Sequence, residues 1–242
     1  MKTIACFSLK GGVGKTTVAV NLAYAAATAG GRRTLLWDLD AQGAASWVLG
    51  HEGRRGTRAR KLMEKGDLAA GVLPTDVPGL HLLPADKSLR HLERDMAGGG
   101  GETASIRKQL AALAPHYDRI ILDCPPGFTL LAEQVFKAAD IIVEPMPPSP
   151  LAERTHAALI EHLAKHHGGK PTVLPVFSMI DRRRTLHRSA ADRKPDRVAL
   201  PYAALVERMT VERVPIALLA PASPAAHAFV ELWTATERHL LR

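Results

Sequence analysis

The apolar run Thr3–Phe7 leads directly into Leu9-Lys10-Gly11-Gly12-Val13-Gly14-Lys15-Thr16-Thr17, and an alanine-rich helical pattern begins at residue 15. A strand, a glycine-rich turn and a helix N-terminus in that order make an anion cradle. The glycines let successive backbone N–H groups turn inward, and the helix dipole favours negative charge at the same point. In such a loop Lys15 reaches the β- and γ-phosphates of a nucleotide, the Thr16 hydroxyl ligates Mg²⁺, and Thr17 lies near the α-phosphate. The strict pattern G-x-x-x-x-G-K-[ST] is not met, because Leu9 stands where the first glycine belongs. A second lysine, Lys10, lies five residues before Lys15.

The remaining chain fits a fold that can carry this loop. Strand-like runs fall at Thr3–Phe7, Thr34–Trp37, Leu80–Leu83, Arg119–Leu122, Ile141–Val143 and Val173–Ile180. Several are continuously apolar, as expected of central strands covered on both faces. Helical patterns fill the gaps, near 15–29, 58–65, 86–96, 103–114, 129–138, 150–167, 203–209 and 224–241. The alternation predicts an α/β fold: a mostly parallel twisted sheet with helices on both faces. Gly98–Gly101 reads as a flexible connection, and 181–200 as surface loop or ragged helix. With 242 residues and no marked shift in composition, a single domain over 1–242 is expected. Two cysteines, Cys6 and Cys124, stand far apart with no zinc-ligand spacing, which excludes a disulfide scaffold and points to a reducing compartment. The first residues lack a signal-peptide pattern, and no run reaches the length of a membrane span.

Lys10 together with Lys15 gives the loop a resemblance to the deviant Walker A motif, K-G-G-x-G-K-T-T, of the ParA/MinD family of ATPases. The resemblance runs along nearly the whole chain. Asp38-Leu39-Asp40-Ala41-Gln42-Gly43 is similar to the family's D-x-D-P-Q-G segment, with Ala41 in place of proline. Asp123-Cys124-Pro125-Pro126-Gly127 resembles its Walker B and second switch. Pro148-Ser149-Pro150-Leu151, Asp181-Arg182-Arg183 and Pro201, Glu207 and Pro215 match later landmarks. The P-loop NTPase fold of the deviant Walker A type is therefore implied, with ATP and Mg²⁺ as cofactors. Lys10, Gly11, Gly12, Val13, Gly14, Lys15, Thr16 and Thr17 would bind the nucleotide. Thr16, Asp38 and Asp123 would surround Mg²⁺. By resemblance Asp40 orients the attacking water, and Lys10 reaches across a two-fold interface to the partner's nucleotide, which implies an ATP-sandwiched homodimer. Lys10, Lys15 and Asp40 are thus the implied catalytic set, Gly127 would let the second switch approach the γ-phosphate, and hydrolysis would be slow until an adaptor protein of ParB-like type stimulates it.

The formal charge of +8 is concentrated. Residues 54–65 (Arg54, Arg55, Arg58, Arg60, Lys61 and Lys65 against Glu64) and residues 182–197 (Arg182, Arg183, Arg184, Arg188, Arg193, Lys194 and Arg197 against Asp192 and Asp196) each carry +5. A charge run by itself is ordinarily a solvated face. ParA relatives, however, bind DNA without sequence preference through basic residues in the C-terminal third. The resemblance therefore implies nucleoid DNA as a partner, contacted by Arg183, Arg184, Arg188, Arg208 and Arg213. Few aromatic residues lie among them, so phosphate contact and not base stacking is expected. Ala222 stands where many relatives carry arginine, a departure from the pattern. The 54–65 cluster stays open as a partner surface. The family implies cytoplasmic cargo positioning, of a plasmid, a chromosome region or a microcompartment. A MinD-like membrane protein is the first alternative. Here the stripe Phe229, Val230, Trp233 and Leu240 is expected to pack on the core, and no basic amphipathic tail follows it, so membrane attachment is not expected. A P-loop amide ligase is the second alternative. Since Lys10 stands so near the start, no upstream operator-binding domain is expected.

Overall fold

The computed structural model describes residues 1–51, 59–89 and 105–241. Among these, eight strands form one sheet in the order β3-β4-β2-β5-β1-β6-β7-β8. They are β1 Lys2–Cys6, β2 Thr34–Asp38, β3 Leu73–Pro74, β4 Leu80–Leu83, β5 Arg119–Asp123, β6 Ile141–Met146, β7 Thr172–Ile180 and β8 Ala199–Pro201. Every pairing is parallel except that of β3 with β4. The helices are α1 Lys15–Ala27, α2 Ala44–Val48, α3 Ala59–Lys65, α4 Ile106–Leu113, α5 Leu130–Ala138, α6 Pro150–His167, α7 Thr185–Arg193, α8 Ala204–Glu212, α9 Ile216–Leu219 and α10 Pro224–Leu240.

The continuous apolar runs are explained by two cores. Successive strand residues point to opposite faces, so Ile4, Cys6, Leu36 and Ile121 enter one cluster with α1 and α10. Ala5, Phe7, Leu35, Trp37, Ile120 and Leu122 enter the other with α4, α5 and α6. α1 is buried along most of its length by small residues such as Ala19, Ala23 and Ala26. That allows α10 to approach closely, with Trp233 reaching Gly30. Helix starts follow local chemistry. Thr129, Ser149 and Ser223 accept hydrogen bonds from Ala132, Ala152 and Ala226 N–H groups, and proline occupies the first turn of α6 and α10.

Two expectations are sharpened. The stretch 181–200, expected as surface loop or ragged helix, holds the exposed helix α7 and the start of β8, a strand absent from the expected runs. α7 buries none of its residues, so it lacks the apolar stripe by which a helix is read. β8 is three residues long, joined to β7 with a register irregularity. Phe229 and Trp233 of the C-terminal stripe are buried and Leu240 packs against that core, but Val230 is exposed. Arg54, Arg55 and Arg58, the tract Gly98–Gly101 and residues 90–96 of the 86–96 pattern lie outside the described residues. Among the described residues no helix is long and apolar enough to cross a membrane.

The sheet order also places the site. From β1 the chain moves outward to β2 and β4, returns to insert β5 between β1 and β2, then continues on the other side through β6. Ligands in open parallel sheets bind where strand order reverses, at the carboxyl ends of the strands. Here those ends bring together the loop after β1, Asp38 and Asp123.

Candidate nucleotide site

The loop between β1 and α1 has the backbone that a phosphate nest requires. Gly12 and Gly14 take φ +73 and +91, left-handed values that side chains resist, and Gly14 caps α1. Lys15, the first residue of α1, is buried, and its ammonium donates to the Lys10 carbonyl at 3.2 Å, folding across the loop. Burial pulls its pKa down, while Asp123 and Asp40 hold it up. Gly11 and Gly12 are exposed, Val13 is buried and Thr16 and Thr17 are half-buried at the helix start. Lys10 is half-buried, and its ammonium makes no hydrogen bond or ion pair among the described residues.

Two carboxylates face this loop from neighbouring strands. Asp38 and Asp123 are register partners at the ends of β2 and β5, and both are fully buried. Asp38 is well satisfied: its Oδ2 accepts from the Ser46 N–H at 2.8 Å and Ser46 hydroxyl at 2.7 Å, and its Oδ1 accepts from the Asp40 N–H at 3.2 Å. Burial still pushes its carboxyl up to about 6. Asp123 is different. Neither of its oxygens has a hydrogen-bond partner among the described residues. Burial first, then the neighbouring charge of Asp38, drives its pKa well up, and the nearby Thr16 hydroxyl and Lys15 only partly counter this. A buried, partnerless carboxylate is costly unless a cation meets it. Asp123, Asp38 and the Thr16 hydroxyl supply hard oxygen donors, the chemistry that suits Mg²⁺. The residues present therefore fit a magnesium nucleotide.

Asp40 lies on the loop after β2, half-buried, with Oδ1 accepting from the Gln42 N–H at 2.9 Å. In this arrangement it shapes its own turn. Gly127, at φ +90, follows Asp123 by four residues, and Phe128 beside it is exposed. Cys6 and Cys124 are buried free thiols whose pKa values burial pushes well up. That suits packing and not metal ligation.

A feature absent from the sequence reading lies on the other side of the loop. A mostly apolar cavity of about 230 Å³ is walled by Gly14, Thr17, Met179, Pro201, Tyr202 and Phe229 among others, and its lining includes the buried Ser178 hydroxyl, which has no hydrogen-bond partner among the described residues. Its walls come from segments far apart in the chain, so no local motif announces it.

The arginines expected at DNA divide. Arg184 and Arg188 are exposed one helical turn apart, at the start of α7. Arg183 is exposed but pairs with Asp181 at 2.9 Å, and Arg208 is exposed with Glu212 at 3.8 Å. Arg213 is half-buried, with its guanidinium 4.2 Å from the Trp47 ring and its Nε donating to the Trp47 carbonyl at 3.0 Å. Elsewhere in the basic window, Lys194 and Arg197 bind Glu153 at 2.7 and 2.6 Å.

A family model described as an AAA domain matches residues 1–170. The chain is 32% identical to the chromosome partitioning protein ParA of Caulobacter vibrioides over 199 residues, covering 79% of this chain and 74% of that protein. It is 36% identical over 169 residues to the chromosome-partitioning ATPase Soj of Thermus thermophilus, covering 70% and 64%. Among solved structures, the cell division ATPase MinD of Pyrococcus furiosus superposes with a TM-score of 0.80 at 25% identity, covering 98% of each chain. Cobyrinic acid a,c-diamide synthase of Mycobacterium smegmatis, solved with a bound ATP analogue and magnesium, superposes at 0.82 with 27% identity, covering 99% of this chain and 95% of that one. With the deviant phosphate loop, the paired buried carboxylates and the parallel sheet in place, the chain belongs to the ParA/MinD family of P-loop ATPases.

Proposed function

We propose that residues 1–242 act as one ParA-type ATPase domain that binds Mg·ATP, dimerises around it, and in that state holds nucleoid DNA while positioning a cargo through an adaptor protein. The observation that carries this reading is the pairing of Lys15, folded into the loop, with Lys10, whose ammonium is uncommitted. One lysine already serves the triphosphate within the chain, so the second is available to the nucleotide of an isologous partner. Gly11 to Thr17 would cradle the phosphates, and the apolar cavity beside Gly14 and Thr17 would take the base. Thr16, Asp38 and Asp123 would hold Mg²⁺, which supplies charge neutralisation for the phosphoryl group. Asp40 would leave its own turn to orient the attacking water, with Gly127 giving the second switch room near the γ-phosphate.

DNA contact in this reading falls to Arg184 and Arg188, with Arg183 and Arg208 joining by releasing Asp181 and Glu212. Arg213 is withdrawn from the set, because stacking on Trp47 fixes its guanidinium within the fold. Binding through phosphates confers no sequence preference. The adaptor would stimulate a slow intrinsic hydrolysis and so release the dimer from DNA.

The test is Asp40→Ala. It should bind ATP and form a dimer that persists on DNA, with turnover abolished. Turnover equal to that of the unaltered chain would remove the role given to Asp40. Hydrolysis that depends on a small carboxylic acid and ignores DNA would instead favour an amide ligase.

A further inference from the structure

Away from the phosphate loop, three side chains from two helices converge. Glu133, in the first turn of α5, pairs through Oε1 with His162 Nε2 at 2.7 Å and through Oε2 with His167 Nε2 at 2.8 Å. Both histidines lie near the end of α6. The ligand atoms of all three lie within 4.8 Å of one another. Ring contacts fix how the imidazoles face. Phe136 stands edge-on to His162 and His167, at 6.1 and 5.6 Å, and Phe128 stacks on His162 at 4.2 Å.

We propose that Glu133, His162 and His167 form a site for a divalent transition-metal ion of the zinc class, separate from the nucleotide site. Two imidazole nitrogens and one carboxylate oxygen, with positions left open, are a donor set of the kind zinc takes, and magnesium disfavours the nitrogens. Donors at zinc bond lengths in a tetrahedral shell lie about 3.3 Å apart. The present contacts of 2.7 and 2.8 Å and the 4.8 Å limit bracket that value, so small shifts suffice. The site is sheltered but open to entry: the side chains of His167, His162 and Glu133 are 7%, 21% and 29% exposed. Partial burial opposes ionisation of Glu133, yet the two imidazoles outweigh it and hold the carboxyl below its usual range. His166 lies one turn from His162 with ring centroids 4.7 Å apart, within reach as a further donor. Because His162 stacks on Phe128, the residue after Gly127, an ion here would steady the segment next to the second switch.

The experiment is a Zn²⁺ titration of the tag-free full chain, stripped with a chelator and competed against a chromophoric chelator, with and without saturating Mg·ADP. The expected result is one Zn²⁺ per chain, unaffected by Mg·ADP. Glu133→Gln, His162→Gln and His167→Gln should each weaken it at least about tenfold, and the exposed control His227→Gln should leave it unchanged. Co²⁺ added to the unaltered chain should give the intense visible bands of a nitrogen-ligated, low-coordinate site, a readout that needs no variant to fold. Non-saturating Zn²⁺ uptake, affinity unchanged by all three substitutions, competition by Mg·ADP, or a weak hexa-aquo Co²⁺ spectrum would each overturn the proposal. None of these readouts depends on ATP hydrolysis, so they stand or fall apart from the ParA reading.

Discussion

Asp38 gives the site a measurable electrostatic cost. Its carboxyl is raised from a usual value near 3.8 to about 6, chiefly by burial. Each pKa unit is about 1.4 kcal/mol, so the ionised form burdens the nucleotide-free fold by about 3 kcal/mol at neutral pH and above. The sign follows from proton counting. Between pH 3.8 and 6 the folded chain holds more protons at Asp38 than the unfolded chain does, so stability falls as pH rises through that window. About half of the effect, on the order of 1 kcal/mol of stability, is lost between pH 5 and pH 8. Asp123, whose pKa burial also raises, acts in the same direction. Asp38→Asn removes the titrating group. At pH 5 the substitution is expected to be destabilising or neutral, because the amide has one accepting oxygen and cannot serve both the Asp40 N–H and the Ser46 donors as the carboxylate does. By pH 8 the variant should have gained on the order of 1 kcal/mol relative to the unaltered chain. Urea denaturation in EDTA without nucleotide, at both pH values, measures this double difference; groups remote from Asp38 cancel, and relief of Asp123 from the Asp38 charge adds in the same direction. Mg·nucleotide should restore the unaltered chain at pH 8 more than the variant. A difference that stays constant with pH, or that moves against the variant, would refute the claim that this carboxylate is held charged at a cost.

Further outcomes follow from particular contacts. Gly30→Ala places a Cβ 2.6 Å from both the Ala26 carbonyl and the Trp233 ring, an overpacking worth about 1–3 kcal/mol, seen as a Tm lower by several degrees. Ser46→Ala removes the hydroxyl that bonds Asp38 and receives the Ala85 N–H, costing about 1–3 kcal/mol by chemical denaturation and weakening Mg²⁺-dependent nucleotide binding. Lys10→Ala should keep ATP affinity in the monomer while losing the ATP-dependent dimer, as sedimentation velocity would report.

Much of the fold was legible because burial on both faces writes itself into sequence: β2, β4 and β5 stand within a residue of the expected bounds. β6 extends past Val143 because Glu144 is buried there and pairs with His156, a polar residue that ends an apolar run without ending the strand. α7 was legible only as surface loop or ragged helix, for want of a buried face, and β8 escaped for its three-residue length. The phosphate loop was readable since its residues are contiguous and its chemistry is local. The cavity beside it was not, nor was the Glu133–His162–His167 cluster, whose members are separated by 29 and 34 positions and meet only when α5 packs beside α6. Lys194 and Arg197 of the basic window bind Glu153, and Arg213, named from the resemblance, stacks on Trp47, contacts that neither charge nor spacing could show.

The central claim is that a basic surface is switched onto DNA by nucleotide. The direct measurement is affinity for a DNA duplex of arbitrary sequence against salt concentration, with ATP, with ADP and with neither. With ATP, a dimer covering about six phosphates should give a log–log slope near −5, a loss of about a thousandfold between 50 and 200 mM salt. Arg184→Ala with Arg188→Ala should flatten that slope by about 3–4. With ADP or no nucleotide, binding should be weak. Equal affinity and equal slope in all three conditions would contradict the account.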